Sequence, residues 1–241
     1  MGHSLHDWNL RPQYAAHVSW TPDHAVSVLK SDGLRSVWLV QRPGEEPRTV
    51  KFWPVSSWML AKHAMGISQP IRQDRGCRRL RGAGIDTPKI VSGPMVTSVE
   101  GRRVIRLELD HVPGRTVLEH LECGSVDAAA VSEVARQVGA LVYSIADAGF
   151  MHRDLKLSNI VVEEFDDAPP KVWVIDPVGV RQCRNRSVAI FRMLERLDVE
   201  IRSGRDVAGI GWSSVVREAM RPLSPSERRA VLSMLRARPR P

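Results

Sequence analysis

The first third of the chain alternates short apolar runs with turn sequences. The apolar runs cover residues 25–29, 37–40 and 49–53, and the segments between them contain Gly or Pro. Short runs of β-forming residues bounded by such turns are typical of strands joined by hairpins. We therefore predict three antiparallel strands with two hairpins.

The next part of the chain indicates one helix and one more strand. A basic stretch over residues 69–81 ends at Gly82 and Gly84, which is typical of a helix C-terminus. Residues 103–109 alternate as a strand does, and Pro113-Gly114 breaks the chain after them.

Beyond residue 113 the apolar spacing becomes helical. Seven residues recur at helical spacing and predict a long amphipathic helix over 126–148: Val131, Val134, Ala135, Val138, Leu141, Val142 and Ile145. Residues 160–162 and 171–175 indicate two short strands, and 188–202 and 225–236 indicate two final helices. Ser224 and Glu227 form a capping box at the start of the last helix.

This order of elements predicts an α+β protein of two lobes, because strands come first and helices follow. We expect an N-terminal extension over residues 1–24, an N-lobe with an antiparallel sheet over 25–112, and a mainly helical C-lobe over 113–241.

Composition changes this picture little. The chain has 241 residues, of which 43% are hydrophobic, so it is long enough to bury a core. Its three cysteines suggest neither a disulfide framework nor a zinc cluster. No N-terminal apolar segment and no run of about 18 apolar residues is present, so we expect neither a signal peptide nor a spanning helix and predict a cytoplasmic protein.

The charge balance points to an anionic partner. The formal net charge is +8, and arginines form local clusters over residues 72–81, 181–192 and 228–240. A basic surface favours nucleotides, phosphorylated glycans, nucleic acids or acidic lipids. A solvated surface is the simpler explanation of each cluster, and charge alone does not choose among these partners.

One segment combines charged and amide residues in a spacing suited to phosphate chemistry. The segment His152-Arg153-Asp154-Leu155-Lys156-Leu157-Ser158-Asn159 resembles the catalytic loop H-R-D-L-K-x-x-N of the protein-kinase superfamily. Phosphoryl transfer needs a carboxylate to orient the attacking hydroxyl and an amide oxygen to hold a metal ion against the phosphates. We assign these roles to Asp154 and Asn159. Lys156 is expected to steady the migrating phosphoryl group, and His152 and Arg153 to hold the loop rather than touch substrate.

A second acidic residue follows the predicted strand at 171–175. A carboxylate such as Asp176, at the end of a buried strand and beside an Asn-bearing loop, can bridge Mg²⁺ to nucleotide phosphates. Its position corresponds to the kinase D-F-G motif. Here Pro177 and Val178 follow the Asp, so we expect the metal-binding acid without the switching that depends on the Phe.

The nucleotide-binding part of the pattern is less complete. Lys51 lies in the third predicted strand, where an inward-facing ammonium needs an anionic partner such as an α- or β-phosphate. No Glu lies between Pro47 and Val99, so we predict Asp74 as the helix residue that pairs with this lysine, with Gln73 as the alternative. Only one glycine, Gly33, is available to place backbone amides near the phosphates.

Three features together resemble the Kdo/WaaP family of lipopolysaccharide kinases. They are the Val50-Lys51 strand, the segment Leu80-Arg81-Gly82-Ala83-Gly84-Ile85-Asp86-Thr87-Pro88, and Ile175-Asp176 followed by a basic, helix-rich end. The resemblance covers roughly residues 25 to 200. It implies a compact kinase-like fold, ATP and Mg²⁺ as cosubstrates, and a sugar hydroxyl of the lipopolysaccharide core as acceptor. It also implies work at the inner face of the membrane, where a basic surface suits an anionic glycolipid.

The adenine is expected to dock where the strand at 103–109 ends, against residues 108–111, which include Asp110.

Three other functions stay open at this point. Arg153 and Lys156 are also found in serine/threonine protein kinases, so a protein acceptor is the main alternative. The missing helix glutamate and the single glycine would suit a pseudokinase that only binds nucleotide or partners. Nucleic-acid binding through the arginine clusters ranks last, because aromatic residues are not interleaved with them.

Overall fold

The computed structural model describes residues 21–32, 35–122, 128–163, 169–202 and 211–237. Most of the predicted N-terminal extension, and Gly33 with it, lie outside these residues. The chain divides into two compact units. The first comprises Met1–Ile71 with Ile90–His111, and the second comprises Arg72–Lys89 with Val112–Pro241.

The first unit is built on a five-stranded antiparallel sheet with the order β1-β2-β3-β5-β4. Its strands and first helix are β1 (Ala25–Ser31), β2 (Ser36–Val40), β3 (Arg48–Pro54), α1 (Ser57–Ala64), β4 (Ile90–Val99) and β5 (Arg102–Asp110). The predicted three-stranded meander is confirmed. One face of the sheet buries Trp38, Val40, Val50, Phe52 and Val104 together.

β4 and α1 were not predicted from the sequence. β4 contains Gly93 and Pro94, and proline inside an apolar run argues against a strand unless the strand is at an edge. β4 is the edge strand, and its register with β5 shifts between Ser92 and Met95. The sheet can therefore accept a residue that has no N–H to donate.

The second unit packs helices around one apolar core. Its elements, with α2 beginning in the first unit, are α2 (Gln69–Gly82), β6 (Arg115–Thr116), α3 (Val117–Glu122), α4 (Ala128–Asp147), β7 (Phe150–His152), β8 (Ile160–Glu163), β9 (Lys171–Val174), β10 (Val180–Gln182), α5 (Arg186–Arg202), α6 (Trp212–Met220) and α7 (Pro225–Arg236). The long helix predicted from its apolar stripe is α4, which buries Val134, Val138 and Leu141.

Two observations show that this core is closely packed. Gly139 on α4 lies against α6, since an added Cβ would be 2.5 Å from the Val215 carbonyl oxygen. α5 contributes Met193, Leu194 and Leu197, each 0% exposed. Together with the sheet β6-β8-β9 and the ribbon β10-β7, these helices hold the loops that contain the predicted catalytic residues. The predicted α+β fold, with an antiparallel sheet first and helices after it, is confirmed.

No helix among the described residues combines the length and apolar character needed to cross a membrane.

Candidate active site

The predicted catalytic loop begins where a two-stranded ribbon ends. β7 pairs with β10, and the Arg153 N–H donates to the Gly179 carbonyl oxygen at 3.1 Å. A Cβ on Gly179 would lie 3.1 Å from the backbone nitrogen of Asp154. The ribbon therefore brings the start of the loop against the segment that follows Asp176.

His152 joins these two segments from inside the protein. Its side chain is 0% exposed; Nδ1 accepts from the Asp154 N–H at 3.2 Å, and Nε2 lies 3.0 Å from the Asp176 carbonyl oxygen. A carbonyl oxygen only accepts and an amide N–H only donates, so the proton of a neutral imidazole sits on Nε2. Burial lowers the pKa of His152, which keeps the ring neutral. The residue holds the loop, as predicted.

Asn159 closes the loop at its other end. Its Nδ2 donates to the Asp154 carbonyl oxygen at 2.9 Å, so the amide oxygen is not part of that bond. The Asn159 carbonyl oxygen accepts from the Ile175 N–H at 3.0 Å. This bond joins the residue before β8 to the residue after β9. Asn159 therefore lies beside the residue that directly precedes Asp176.

The Asp154 carboxylate has two cationic neighbours on one oxygen. Arg196 Nη2 lies 2.8 Å and Lys156 Nζ 3.2 Å from Oδ1. Burial alone would raise the pKa of Asp154, but the hydrogen bonds from Arg196 and Lys156 outweigh it and hold this pKa below its usual value. Asp154 is thus kept ionised, with both cations bound at Oδ1.

Arg196 and Glu200 were not predicted from the sequence. Both lie on α5, and Glu200 accepts hydrogen bonds from the loop at Leu157 N (2.6 Å) and Ser158 Oγ (2.9 Å). More than 40 residues separate each of them from the loop residue it contacts. The sequence predicts the helix and its basic character, but no local signal marks these two positions.

The strand that leads to Asp176 is supported by the segment after α2. The Val174 N–H donates to the Asp86 carbonyl oxygen at 3.0 Å. Thr87, which is 0% exposed, donates from Oγ1 to the Val174 carbonyl oxygen at 2.6 Å. The segment 80–88, which carries part of the family resemblance, therefore fixes β9 just before the predicted metal-binding acid.

α2 approaches the turn after Asp176 closely. A Cβ on Gly76 would lie 2.1 Å from the Pro177 carbonyl oxygen, so only glycine fits there. On the same helix, the Asp74 carboxylate pairs with Arg78 Nε at 3.0 Å. Gln73 is 0% exposed, and its side-chain amide has no hydrogen-bond partner among the described residues. The pairing of Asp74 with Lys51 stays a prediction.

The remaining predicted nucleotide-binding residues belong to the first unit. Lys51 is half-buried in β3 and lies opposite Leu107 of β5, on the face away from Val50 and Phe52. Asp110 ends β5 and pairs with Arg48. Gly33 lies outside the described residues, so its expected contact with phosphate stays a prediction.

Part of the backbone at the end of β5 is already hydrogen-bonded. The His111 N–H donates to the Pro47 carbonyl oxygen at 3.2 Å, and burial lowers the pKa of the His111 side chain. Glu108 is 3% exposed and binds Arg42 at 2.7 Å. Docking of adenine against residues 108–111 stays a prediction.

The donor set at the loop suits a hard cation that is shared with phosphates. Among the parts of the chain that the structure describes, no three His, Cys, Asp or Glu side chains lie together so that they could hold a metal ion. One carboxylate, Asp176, and one amide oxygen, from Asn159, are held at adjacent strand ends. Mg²⁺ uses this kind of site, with one or two protein oxygens and with phosphates as further ligands.

Comparison with known proteins gives the family. The profile of the lipopolysaccharide kinase (Kdo/WaaP) family matches residues 60–199, which is more than half of the chain and includes Asp154, Asn159 and Asp176. No curated protein matches the chain. A solved structure described as "WaaP in complex with acyl carrier protein" is similar, with a TM-score of 0.55 and 15% identity, over 87% of this chain and 86% of that chain. That likeness shows the fold alone, while the profile shows that the chain belongs to the Kdo/WaaP lipopolysaccharide kinase family and is a kinase.

Proposed function

We propose that this kinase transfers the γ-phosphoryl group of ATP, with Mg²⁺, to a hydroxyl group of a Kdo or heptose sugar in the lipopolysaccharide core. The observation that carries the proposal is the loop from Asp154 to Asn159. Hydrogen bonds hold the Asp154 carboxylate at one end and the Asn159 amide at the other, and Ile175, which directly precedes Asp176, bonds to the Asn159 backbone. Phosphoryl transfer depends mainly on such positioning and on electrostatic stabilisation.

Asn159 and Asp176 would hold the metal ion. Bound Mg²⁺ would supply positive charge to the β- and γ-phosphate oxygens as negative charge develops there. On the protein side, the Asn159 amide is oriented by its bond to the loop. Asp176 is oriented through its backbone bond to the buried His152. Rigid ligands of this kind lower the cost of organising the site.

Asp154 would orient the acceptor hydroxyl and receive its proton. Oδ1 is bound by Lys156 and Arg196, so Oδ2 would accept the hydrogen bond. The hydroxyl oxygen then forms a bond to the γ-phosphorus, the bond from that phosphorus to the β,γ-bridging oxygen breaks, and ADP leaves. Lys156 lies beside the carboxylate and would offset charge on the group in transfer.

Lys51 is proposed to bind the α- and β-phosphates, with Gly33 contributing backbone amides. Its place on a strand, half-buried opposite the fully buried Leu107, supports this role. A partly buried ammonium gains from an anionic partner. We also propose that Asp74 is the helix partner of Lys51 and that Asp110 lies near the adenine.

The acceptor class suggests contact with the cytoplasmic face of an anionic membrane. α1 and the turn after it support this proposal, because Trp58 in the helix is 64% exposed, and Met65 and Ile67 after the helix are 57% and 52% exposed. Lys62 Nζ lies 4.8 Å from the centre of the Trp58 ring. No Asp or Glu occurs from Pro47 to Gln73. Exposed Trp beside Lys, without nearby acidic residues, suits the headgroup region of acidic lipids.

The test is transfer of the γ-phosphate of ATP in the presence of Mg²⁺ to purified lipopolysaccharide core, to a generic protein, or to buffer alone. The Asp154→Asn protein is the control. Labelled glycolipid that depends on Asp154 supports the proposal. Labelled protein without labelled glycolipid overturns it in favour of a serine/threonine protein kinase. No transfer together with no ATP-dependent thermal shift overturns it in favour of a pseudokinase.

A further inference from the structure

α5 contacts the catalytic loop at two points that are one helical turn apart. Arg196 binds the Asp154 carboxylate, and Glu200 binds the loop at Leu157 and Ser158. We propose that Arg196 and Glu200 are positioning residues for phosphoryl transfer, which set the Asp154 side chain and the loop backbone in the orientation that the reaction needs. The inference rests on the proposed transfer reaction.

Arg196 restricts the rotation of the Asp154 carboxylate. Its Nη2 lies 2.8 Å from Oδ1, and Lys156 Nζ lies 3.2 Å from the same oxygen. Two cations on one oxygen leave the other oxygen with a defined direction. Lys156 is on the loop itself and would move with it, whereas Arg196 comes from a helix. Arg196 therefore ties the carboxylate to a fixed part of the unit.

Glu200 binds the backbone of the loop between Asp154 and Asn159. Oε2 accepts from Leu157 N at 2.6 Å, and Oε1 accepts from Ser158 Oγ at 2.9 Å. A carboxylate that accepts backbone N–H bonds is among the stronger hydrogen-bonding arrangements in proteins. Asn159 is the next residue after these contacts, so Glu200 fixes the loop immediately before the amide.

The helix that carries both residues is firmly held. α5 places Ile190, Met193, Leu194 and Leu197 in the core, each at 0% exposure. Arg196 and Asp154 are both partly exposed, at 36% and 48% of their side chains, and ion pairs of this exposure add little to stability. An arginine that contributes little to stability but fixes the carboxylate of the proposed active site is better explained by function.

The test compares two arginines on the same helix. Arg196→Gln should lower kcat for transfer on the order of a hundredfold, because a misplaced reacting group can cost that much, and leave the KM for ATP near that of the unmodified protein. Arg192→Gln is the matched control, since Arg192 is 55% exposed and pairs with Glu195 on α5. Arg192→Gln should keep full activity. Arg196→Lys, which retains the charge, should recover part of the lost kcat.

A double-mutant cycle separates positioning from a general structural effect. If Arg196 acts through Asp154, adding Arg196→Gln to Asp154→Asn should cause no further loss of transfer. The matching change Glu200→Gln should lower kcat while ATP still protects the protein against thermal unfolding.

Two results would overturn the inference while the proposed function stands. One is an Arg196→Gln protein that is as active as Arg192→Gln. The other is a loss of kcat from Arg196→Gln that is equally large in the unmodified protein and in the Asp154→Asn protein. Absence of transfer by the unmodified protein is a different result, because it contradicts the proposed function itself.

Discussion

At the residue scale, several hydrogen bonds position the few side chains that form the candidate site. The buried His152 links Asp154 to Asp176 through its two ring nitrogens, and the Asn159 amide bonds to the Asp154 carbonyl oxygen. In the proposed reaction, the carboxylates of Asp154 and Asp176 act on the substrate and the metal ion. Changes to the carboxylates should therefore affect chemistry more than folding.

Asp154→Asn should abolish most transfer and keep nucleotide binding. The amide cannot accept the hydroxyl proton, and loss of such a group typically costs about 10²-fold to 10⁴-fold in rate. Transfer is measured with labelled ATP and binding by the thermal shift with ATP. Asp23→Asn, at an exposed acidic residue, is the control. Wild-type turnover by Asp154→Asn would show that this assignment is wrong.

Asp176→Ala should remove the part of nucleotide binding that depends on Mg²⁺. A hard cation loses its carboxylate ligand in this variant, while contacts made by Lys51 stay in place. Titration of ATP with and without Mg²⁺ checks the prediction. The two affinities should become nearly equal in the variant, and a persistent Mg²⁺ effect would exclude Asp176 as the ligand.

At the element scale, α2 can lie against the turn after Asp176 because Gly76 has no side chain. Gly76→Ala places a Cβ that would lie 2.1 Å from the Pro177 carbonyl oxygen, so α2 or the turn must move. We expect a loss of about 1–3 kcal/mol in the free energy of unfolding, as for other overpacked sites. The shift of the urea midpoint measures it.

Gly82→Ala on the same helix is the matched control. Gly82 is the last residue of α2 and has no atom within 4 Å of an added Cβ, so alanine should cause no clash and should stabilise the helix by less than the roughly 0.5–1 kcal/mol found within a helix. Equal effects of the two substitutions would contradict the close approach at Gly76.

The capping box of α7 should make stability depend on pH. Hydrogen bonds from Ser224 and from Arg186 lower the pKa of Glu227 from its ordinary 4.5 to about 2. Because the folded-state pKa is depressed, the stabilisation is fully present above about pH 4.5 and is lost as the pH falls towards 2. Urea unfolding of the unmodified protein and of Glu227→Gln should differ near neutral pH and converge in acid. A difference that stays constant with pH would contradict this.

At the scale of the whole molecule, a net charge of +8 favours attraction to anionic surfaces, and α1 is where we propose that the membrane is contacted. An eight-residue helix with no fully buried residue receives little support from packing, and short helices are marginal by themselves in water. The exposed Trp58 of α1, with Met65 and Ile67 directly after the helix, is the expected point of contact with lipid.

Trp58→Ser should weaken binding to vesicles that contain anionic lipid. Burying a large apolar side chain is worth about 1.5–3 kcal/mol, so we expect roughly tenfold weaker partitioning or more. Co-sedimentation with anionic and with zwitterionic vesicles measures it. Val26→Thr is the control, because Val26 is 55% exposed in β1 and lies outside α1. Unchanged binding of Trp58→Ser would exclude α1 as the contact.

The sequence by itself determined the elements with strong local signals. Apolar periodicity predicted α4 and the β1 to β3 meander, the Ser224 capping box predicted the start of α7, and the H-R-D-L-K-x-x-N spacing predicted which residues share one loop. These features are set by residues close in the chain, where periodicity and capping act. β4 was not predicted, because its Gly-Pro pair is tolerated only at a sheet edge. Whether a strand lies at an edge depends on the whole sheet and not on the strand's own sequence.

Tertiary structure alone decided what surrounds the loop. Arg196 and Glu200 reach it from a helix more than 40 residues away, Thr87 fixes β9 from 87 residues away, and Gly76 lies against Pro177. Each of these contacts depends on how elements pack, which no single segment encodes. The loop and the family could therefore be predicted from the sequence, whereas the residues that hold the loop could be identified only after the chain was folded.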